Sequence, residues 1–381
     1  MSEKKGETKR QHYVPRMILR NFSEDGKRLS LAANGRIIHE AALSKQCYED
    51  YFYGEDNVVE KGFAEEEGRV AAILGDLDLE RLSALDNGDL YQLKKFVHYQ
   101  YARTRGAAEK LNRMTSSLVK SLLRTSARVN GAASPFTEAD VAEVSVGLKR
   151  AQDMNLAQAV KSLPILLDME VAFLTAANRS EGFVISDHPV VLYNRFAESH
   201  PRFGRWPAGA GGVASKGAQL YMPLSPDVTL ALFDPSSYAY AAKRRTCRAR
   251  PSDVMTLNRM QAINAMHCYY FNRNRFGATT AGSLAAARAG HPSIYDSSVH
   301  EGPFVPTGED KASQFVAIGG TGIRLDAGLS FVSVTCHDSY DGYDFAMLPI
   351  RSPEVFQFTE DYRAHVESRA QTAGAADPQQ E

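Results

Sequence analysis

The side chains with the widest chemical reach in this sequence stand far apart along the chain. His12 lies in Gln11-His12-Tyr13-Val14-Pro15, Arg103 and Arg105 flank Thr104, Asp187-His188 precedes Pro189, and Asn258 follows Leu257. A histidine serves as general base, metal ligand or loop anchor. A carboxylate at a strand end can bind Mg²⁺ or Mn²⁺ or position a water, because the strand fixes its Cα and the turn exposes its side chain. The planar fork of arginine grips phosphate through two parallel hydrogen bonds. If His12, Arg103, Arg105, Asp187 and Asn258 converge in one polar cleft, they compose a phosphodiesterase or nuclease. His12 would be base or metal ligand, and Asp187 metal ligand or water positioner. The arginines would balance phosphate charge in the transition state.

Each residue also has a plainer reading. His12 can hydrogen-bond the following hairpin and fix the N-terminus. Asp187 can close its own turn by an Asx hydrogen bond, which Ser186 and Pro189 suit, and His188 fits such a structural role better still. Arg103 can pair with one of Glu65, Glu66 or Glu67 on the preceding helix. Arg103 and Arg105, two apart on a helix, point in different directions. The densest basic run, Lys243, Arg244, Arg245, Arg248 and Arg250, suits a phosphate backbone or another partner, or is a solvated loop. In the rival, non-catalytic reading the polar residues fix the fold and this run touches nucleic acid or another partner. A third reading is a small-ligand sensor with the lone Trp206 on its lid.

Composition leaves these readings open and removes others. At ~150 residues per domain, the 381 residues suggest about two domains or one large one. Lys plus Arg number 44 and Asp plus Glu 45, a net charge of −1, which excludes a strongly basic coat protein and an acidic disordered chain. Cys47, Cys247, Cys268 and Cys336 are scattered singly, unlike a disulfide framework or zinc knuckle. The charged N-terminus has no apolar stretch behind it and no window is apolar enough to span a membrane, so the expected location is the cytoplasm. There is no phosphate-loop, serine-elbow or zinc-protease motif and no dinucleotide fingerprint in context.

The elements that must carry these residues alternate in period. A short helix follows Pro15, and Asn34-Gly35 between Arg28–Ala32 and Arg36–His39 predicts a tight hairpin. From Phe63 the spacing becomes helical. A long helix from Leu90 is expected to kink at Gly106, Thr137 with Asp140 opens a helix to about Lys149, and another covers Leu156–Ala177, entered or kinked at Pro164. Phe183–Ser186 and Val190–Tyr193 read as strands around the Asp187 turn, followed by strands at Ala218–Met222 and Val228–Phe233. A helix spans Val254 to near His267, with strands at Tyr269–Phe271 and Phe331–Cys336. The expected class is α+β.

Several segments in series resemble a bacterial family catalogued as domain of unknown function 4238. They are His12-Tyr13-Val14-Pro15 with Leu19-Arg20-Asn21-Phe22, Arg103-Thr104-Arg105, Ser186-Asp187-His188-Pro189-Val190, Pro223-Leu224-Ser225-Pro226 and Leu257-Asn258-Arg259. Met17-Ile18 departs from the aromatic pair expected there, which alters packing more than chemistry. The resemblance covers roughly residues 11–275 and implies no catalytic residues; a defence or toxin role is the hint that family members carry. The expected organisation is a loose stretch over 1–10, the family-like domain over 11–275, an extension over 276–366 that completes it or stands apart, and a disordered tail over 367–381.

Overall fold

The computed structural model describes residues 9–130, 135–177, 181–195, 212–308, 311–335 and 349–375. Trp206 and Cys336, and most of the glycine-rich stretch expected to be a loop over 202–217, lie outside them.

The chain begins with β1 (Arg10–His12) and α1 (Arg16–Arg20), which starts directly after Pro15. β2 (Arg28–Ala33) and β3 (Arg36–Ala42) form the expected hairpin. Asn34 and Gly35 sit at φ 49° and 72°, the left-handed pair whose twist matches that of the strands. β4 (Tyr48–Asp50) then pairs antiparallel with β1, setting His12 opposite Tyr48.

The helical middle comprises α2 (Val58–Leu74), α3 (Leu79–Ser83), α4 (Asn87–Ala102), α5 (Arg105–Asn130), α6 (Glu138–Glu143) and α7 (Ala151–Lys161). Thr137 and Asp140 form a reciprocal capping box on α6, which is shorter than expected. The break between α4 and α5 falls at Arg103-Thr104, ahead of Gly106, because the Thr104 hydroxyl accepts the Ala107 N–H and starts a new helix (3.2 Å).

The single helix expected over Leu156–Ala177 is not formed. After α7 come a 3₁₀ turn at Leu163–Leu166, around Pro164, and β5 (Glu170–Ala176). Val171 to Leu174 are buried on both faces of a central strand, and such a continuous apolar run has no period to separate strand from buried helix.

Strands β6 (Ile185–Ser186), β7 (Val191–Tyr193), β8 (Gln219–Pro223), β9 (Val228–Phe233), β10 (Tyr238–Tyr240) and β11 (Thr246–Ala249) follow. Next are α8 (Pro251–Asn264), β12 (Cys268–Phe271) and α9 (Ala278–Gly290). The chain continues through the hairpin of β13 (Ser297–Gly308) and β14 (Lys311–Gly320), then β15 (Val332–Val334) and α10 (Pro353–Ala375). Residues 367–375, expected to be disordered, belong to α10.

The class is α+β. A five-stranded sheet has the order β11-β5-β9-β8-β7, and a four-stranded sheet the order β3-β2-β12-β6. Only the β11–β5 pair in these two sheets is parallel. One apolar core joins the N-terminal segment, α2, α4 and one face of the larger sheet, and a second lies between that sheet's other face, α8 and the segment from Ile323 to Val332. Arg351 binds the Asp168 carboxylate through two nitrogens, at 2.7 and 2.8 Å, and donates to the Ile165 and Val213 carbonyls at 2.6 Å. This fork, with four hydrogen bonds to two carbonyls and a carboxylate, seats the start of α10 on the 3₁₀ turn before β5.

Candidate functional site

The five residues expected to share a cleft are each held by different partners, and among the described residues no hydrogen bond or ion pair joins any two of them. Arg103, buried at the end of α4, donates to Glu67 Oε1 and Gln100 Oε1 at 2.7 Å, and its guanidinium lies over the Phe63 ring at 4.5 Å. Glu67 was one of the three partners that spacing allowed. Arg105 points outward to Glu49 at 3.5 Å. His12 is half-buried, with its ring 5.8 Å from that of Tyr48. Burial, with Arg16 acting the same way, pushes its pKa down to about 4 against an opposing hydrogen bond to the Ser44 backbone.

Asp187 is buried, and its carboxylate caps a distant turn. Oδ1 accepts from Met266 N (2.8 Å), and Oδ2 from His267 N (2.8 Å) and Cys268 N (3.3 Å). These N–H groups lie between α8 and β12, so Asp187 joins two elements eighty positions along the chain rather than closing its own turn. Burial raises its carboxyl pKa, while the three N–H groups pull it back. With both oxygens so engaged, Asp187 is poorly placed to ligate Mg²⁺ or Mn²⁺. Among the described residues, no three His, Cys, Asp or Glu side chains form a group able to hold a metal ion.

Asn258 is the first rung of an amide ladder on α8. Its Oδ1 accepts from Val184 N and its Nδ2 donates to Gly182 O, both at 2.9 Å. One turn on, Gln261 accepts from Ser186 N and Ser186 Oγ and donates to Pro189 O at 2.7 Å. Another turn on, Asn264 donates to the carbonyls of His188 and Val190. The spacing of three places all three amides on one helix face. That face satisfies the backbone of residues 182–190, which has no complete strand partner of its own. The stretch is a crossover: β6 belongs to the smaller sheet and β7 to the larger, so the two strands expected around Asp187 are not a hairpin.

In the basic run, Arg244 and Arg245 form a two-residue turn at φ 48° and 63°, closed by Lys243 and Thr246. Arg245 donates to the Ser83 and Leu85 carbonyls, and Arg248 to that of Ala177 at 2.9 Å. Lys243, Arg244, Arg248 and Arg250 remain exposed.

The crossover presents His188 to a cavity of about 560 Å³, a usual size for a small-molecule site. Four helices wall it with one face each: His98, Tyr101 and Ala102 from α4; Ala107, Lys110, Leu111 and Met114 from α5; Asn155, Gln158 and Ala159 from α7; Phe356, Thr359, Glu360 and Arg363 from α10. Val213 and Ala214 contribute from the segment before β8. Each set repeats at three and four residues, the spacing of one helical face.

His188 is held from several sides. Its Nδ1 meets the Thr104 hydroxyl, and its ring stacks 6.0 Å from that of Tyr101. A Cβ on Gly106 would come within 2.9 Å of the Tyr295 hydroxyl and 3.0 Å of His188 Cγ, so only glycine lets α5 approach this closely. Thr104 is fully buried, and His188 Nδ1 is the acceptor within reach of its hydroxyl hydrogen among the described residues, so the hydroxyl donates to Nδ1. That fixes the tautomer: the proton sits on Nε2, which is buried without a partner among the described residues. Burial, and then the Lys110 charge, hold the His188 pKa well below its ordinary value, so the ring is neutral.

His98 is engaged through Nε2, while its Nδ1 is buried without a partner among the described residues. The Ser162 hydroxyl donates to Gln158 O at 2.8 Å, so the 3.1 Å contact has His98 Nε2–H donating to Ser162 Oγ. Burial pushes the His98 pKa down to about 4. Lys110 has no carboxylate or hydrogen-bond partner among the described residues, and its Nζ stands 5.5 Å from the Tyr295 ring centre. Burial pushes its pKa down to about 8. Asn155 Nδ2 is also buried without a partner among the described residues.

Sequence reasoning set His188 aside as structural and passed over Lys110. The signal that could have found them is the polar substitution in the α5 stripe, Ala107-Lys110-Leu111-Met114, where an amphipathic helix would keep its buried side apolar.

The family described as "Protein of unknown function (DUF4238)" matches residues 10–275, and the chain belongs to it. No curated protein and no solved structure matches the chain. The matched span contains the amide ladder, Asp187, His188 and Lys110, whereas the α10 wall of the cavity lies beyond it.

Proposed function

We propose that this protein is a small-ligand-binding protein whose site is the cavity beside His188, with the Asp187 and Asn258 network serving as its structural support. The observation that carries this reading is the pair of unmatched donors in one cavity. Among the described residues, His188 Nε2–H, oriented by Thr104, has no acceptor and Lys110 has no counter-ion. Groups buried without partners lower stability, and such groups gather where a ligand supplies what is missing.

Binding of a fluorinated fragment mixture followed by ¹⁹F NMR tests this. Saturable binding is expected, weakened about tenfold or more by Ala107→Leu, which fills the cavity without touching a polar group. Fragments that fail to bind, or that bind the folded variant equally well, would remove the reading.

The phosphodiesterase reading, and with it a defence or toxin role, predicts cleavage of tRNA or DNA with Mg²⁺ or Mn²⁺ that His12→Ala abolishes. The engagement of Asp187 and Arg103 weighs against it. The exposed part of the Lys243–Arg250 run is what remains for a nucleic-acid partner, and the same samples test binding directly.

A further inference from the structure

Most of the cavity's unpaired polar groups are donors, the exception being His98 Nδ1, an acceptor without a partner among the described residues, and this narrows what can fill it. His188 Nε2, Lys110 Nζ and Asn155 Nδ2 are all donors, and none has an acceptor among the described residues. The acidic side chain in the lining, Glu360, is bound by Arg363 in the same lining at 2.6 Å. His98 and His188 are neutral at pH 7. The lining therefore carries one uncompensated positive charge, on Lys110. The rest of the wall is largely apolar, through Tyr101, Leu111, Met114, Ile165 and Phe356.

We infer that the natural ligand is an amphipathic monocarboxylate, its carboxylate paired with Lys110 and accepting from His188 Nε2–H, its apolar body against the helix faces. The inference rests on the reading of this cavity as a ligand site. A carboxylate matches the donors in number and sign: one negative charge for one positive charge, and two acceptor oxygens for a fixed N–H and a mobile ammonium. A phosphate monoester carries close to two charges, and the second would be buried against no cation because Arg363 is committed to Glu360. An amine would set a positive charge beside Lys110. A neutral alcohol would leave the Lys110 charge unmatched.

The contrast needs only the intact protein and three probes of equal chain length: octanoate, 1-octanol and octylamine, titrated at pH 7 by calorimetry. Octanoate is expected to bind one per chain, about tenfold or more tighter than 1-octanol, as a single charge-assisted hydrogen bond would give. Lys110→Met, which keeps the apolar stem, is expected to erase that preference; Lys110→Gln serves if the methionine variant does not fold. Octanol or octylamine binding as tightly as octanoate overturns the carboxylate inference and leaves the cavity a ligand site. An octanoate preference that survives both variants also overturns it. If none of the three binds and the fluorinated fragments are also silent, the ligand-site reading falls with it.

Discussion

Two polar regions meet at residues 187 and 188 and differ in one respect. On one side, Asp187, Asn258, Gln261 and Asn264 direct their polar atoms at backbone groups of the crossover or of the turn after α8. On the other side, His188 Nε2 is buried without a partner, and Lys110, set over the Tyr295 ring, has no hydrogen-bond or carboxylate partner among the described residues. Buried polar groups that are matched make a fold unique, and buried polar groups that are unmatched lower its stability. Neighbouring residues in the sequence thus serve opposite ends. Asp187 holds the chain, and the same hold fixes where His188 points.

Mutations should therefore have opposite signs on the two sides. The largest effect is expected from Asp187→Asn. Asparagine offers one acceptor oxygen where three N–H groups converge and turns an amide N–H₂ toward them, at a cost of about 2–3 kcal/mol in urea unfolding. A loss below about 0.5 kcal/mol would break the contrast, because Asp187 would then hold nothing. Gly106→Ala comes next. In an exposed helix this change is stabilising, but here the new methyl meets Tyr295 and His188, so a net loss of about 1–2 kcal/mol is expected. Stabilisation by that change would show that α5 is free to move away from His188.

Acidification has a defined sign. His98 is buried with its pKa pushed down to about 4, so below pH 6.5 the unfolded chain binds a proton that the native state refuses. Its contribution is intact above pH 6.5 and falls by on the order of 1 kcal/mol per pH unit toward pH 4. His188, depressed for the same leading reason, adds to the slope, which His98→Gln should reduce. Urea midpoints between pH 7 and pH 4.5 measure it. The smallest effect sharpens the comparison most. Lys110→Met removes a charge that has no counter-ion among the described residues, so stability should stay level or rise by up to about 1 kcal/mol. A clear loss of stability would place Lys110 with the structural residues.

Local chemistry made some elements legible from the sequence. Asn34-Gly35 dictated its turn, Pro15 opened α1, and Thr137 with Asp140 capped α6. β5 is not legible because Val171–Leu174 is uniformly apolar, and α10 begins in the extension over 276–366, to which the sequence assigns no helix. The ion pair of Arg103 with α2 was among the readings that spacing offered. The reach of Asp187 to Met266 and His267 was not, since nothing local announces a partner eighty residues away. The amide ladder was visible as Asn258, Gln261 and Asn264 at intervals of three, but its meaning depended on knowing that the strand beside it lacked partners. The cavity emerged only when four helix faces, one of them outside the family span, were set around it.

The turn at Arg244-Arg245 has a consequence for how the chain ages in a protease-rich setting. Lys243-Arg244-Arg245 is, as text, an ideal substrate for trypsin-like enzymes, which must draw a stretch of extended chain into their clefts. Both arginines are instead folded left-handed in a turn whose ends are pinned by Lys243 and Thr246, and the next residue, Cys247, is buried in the sheet. Cleavage there is thus expected to require opening of the turn, with Arg244 exposed and Arg245 half-buried against Ser83 and Leu85.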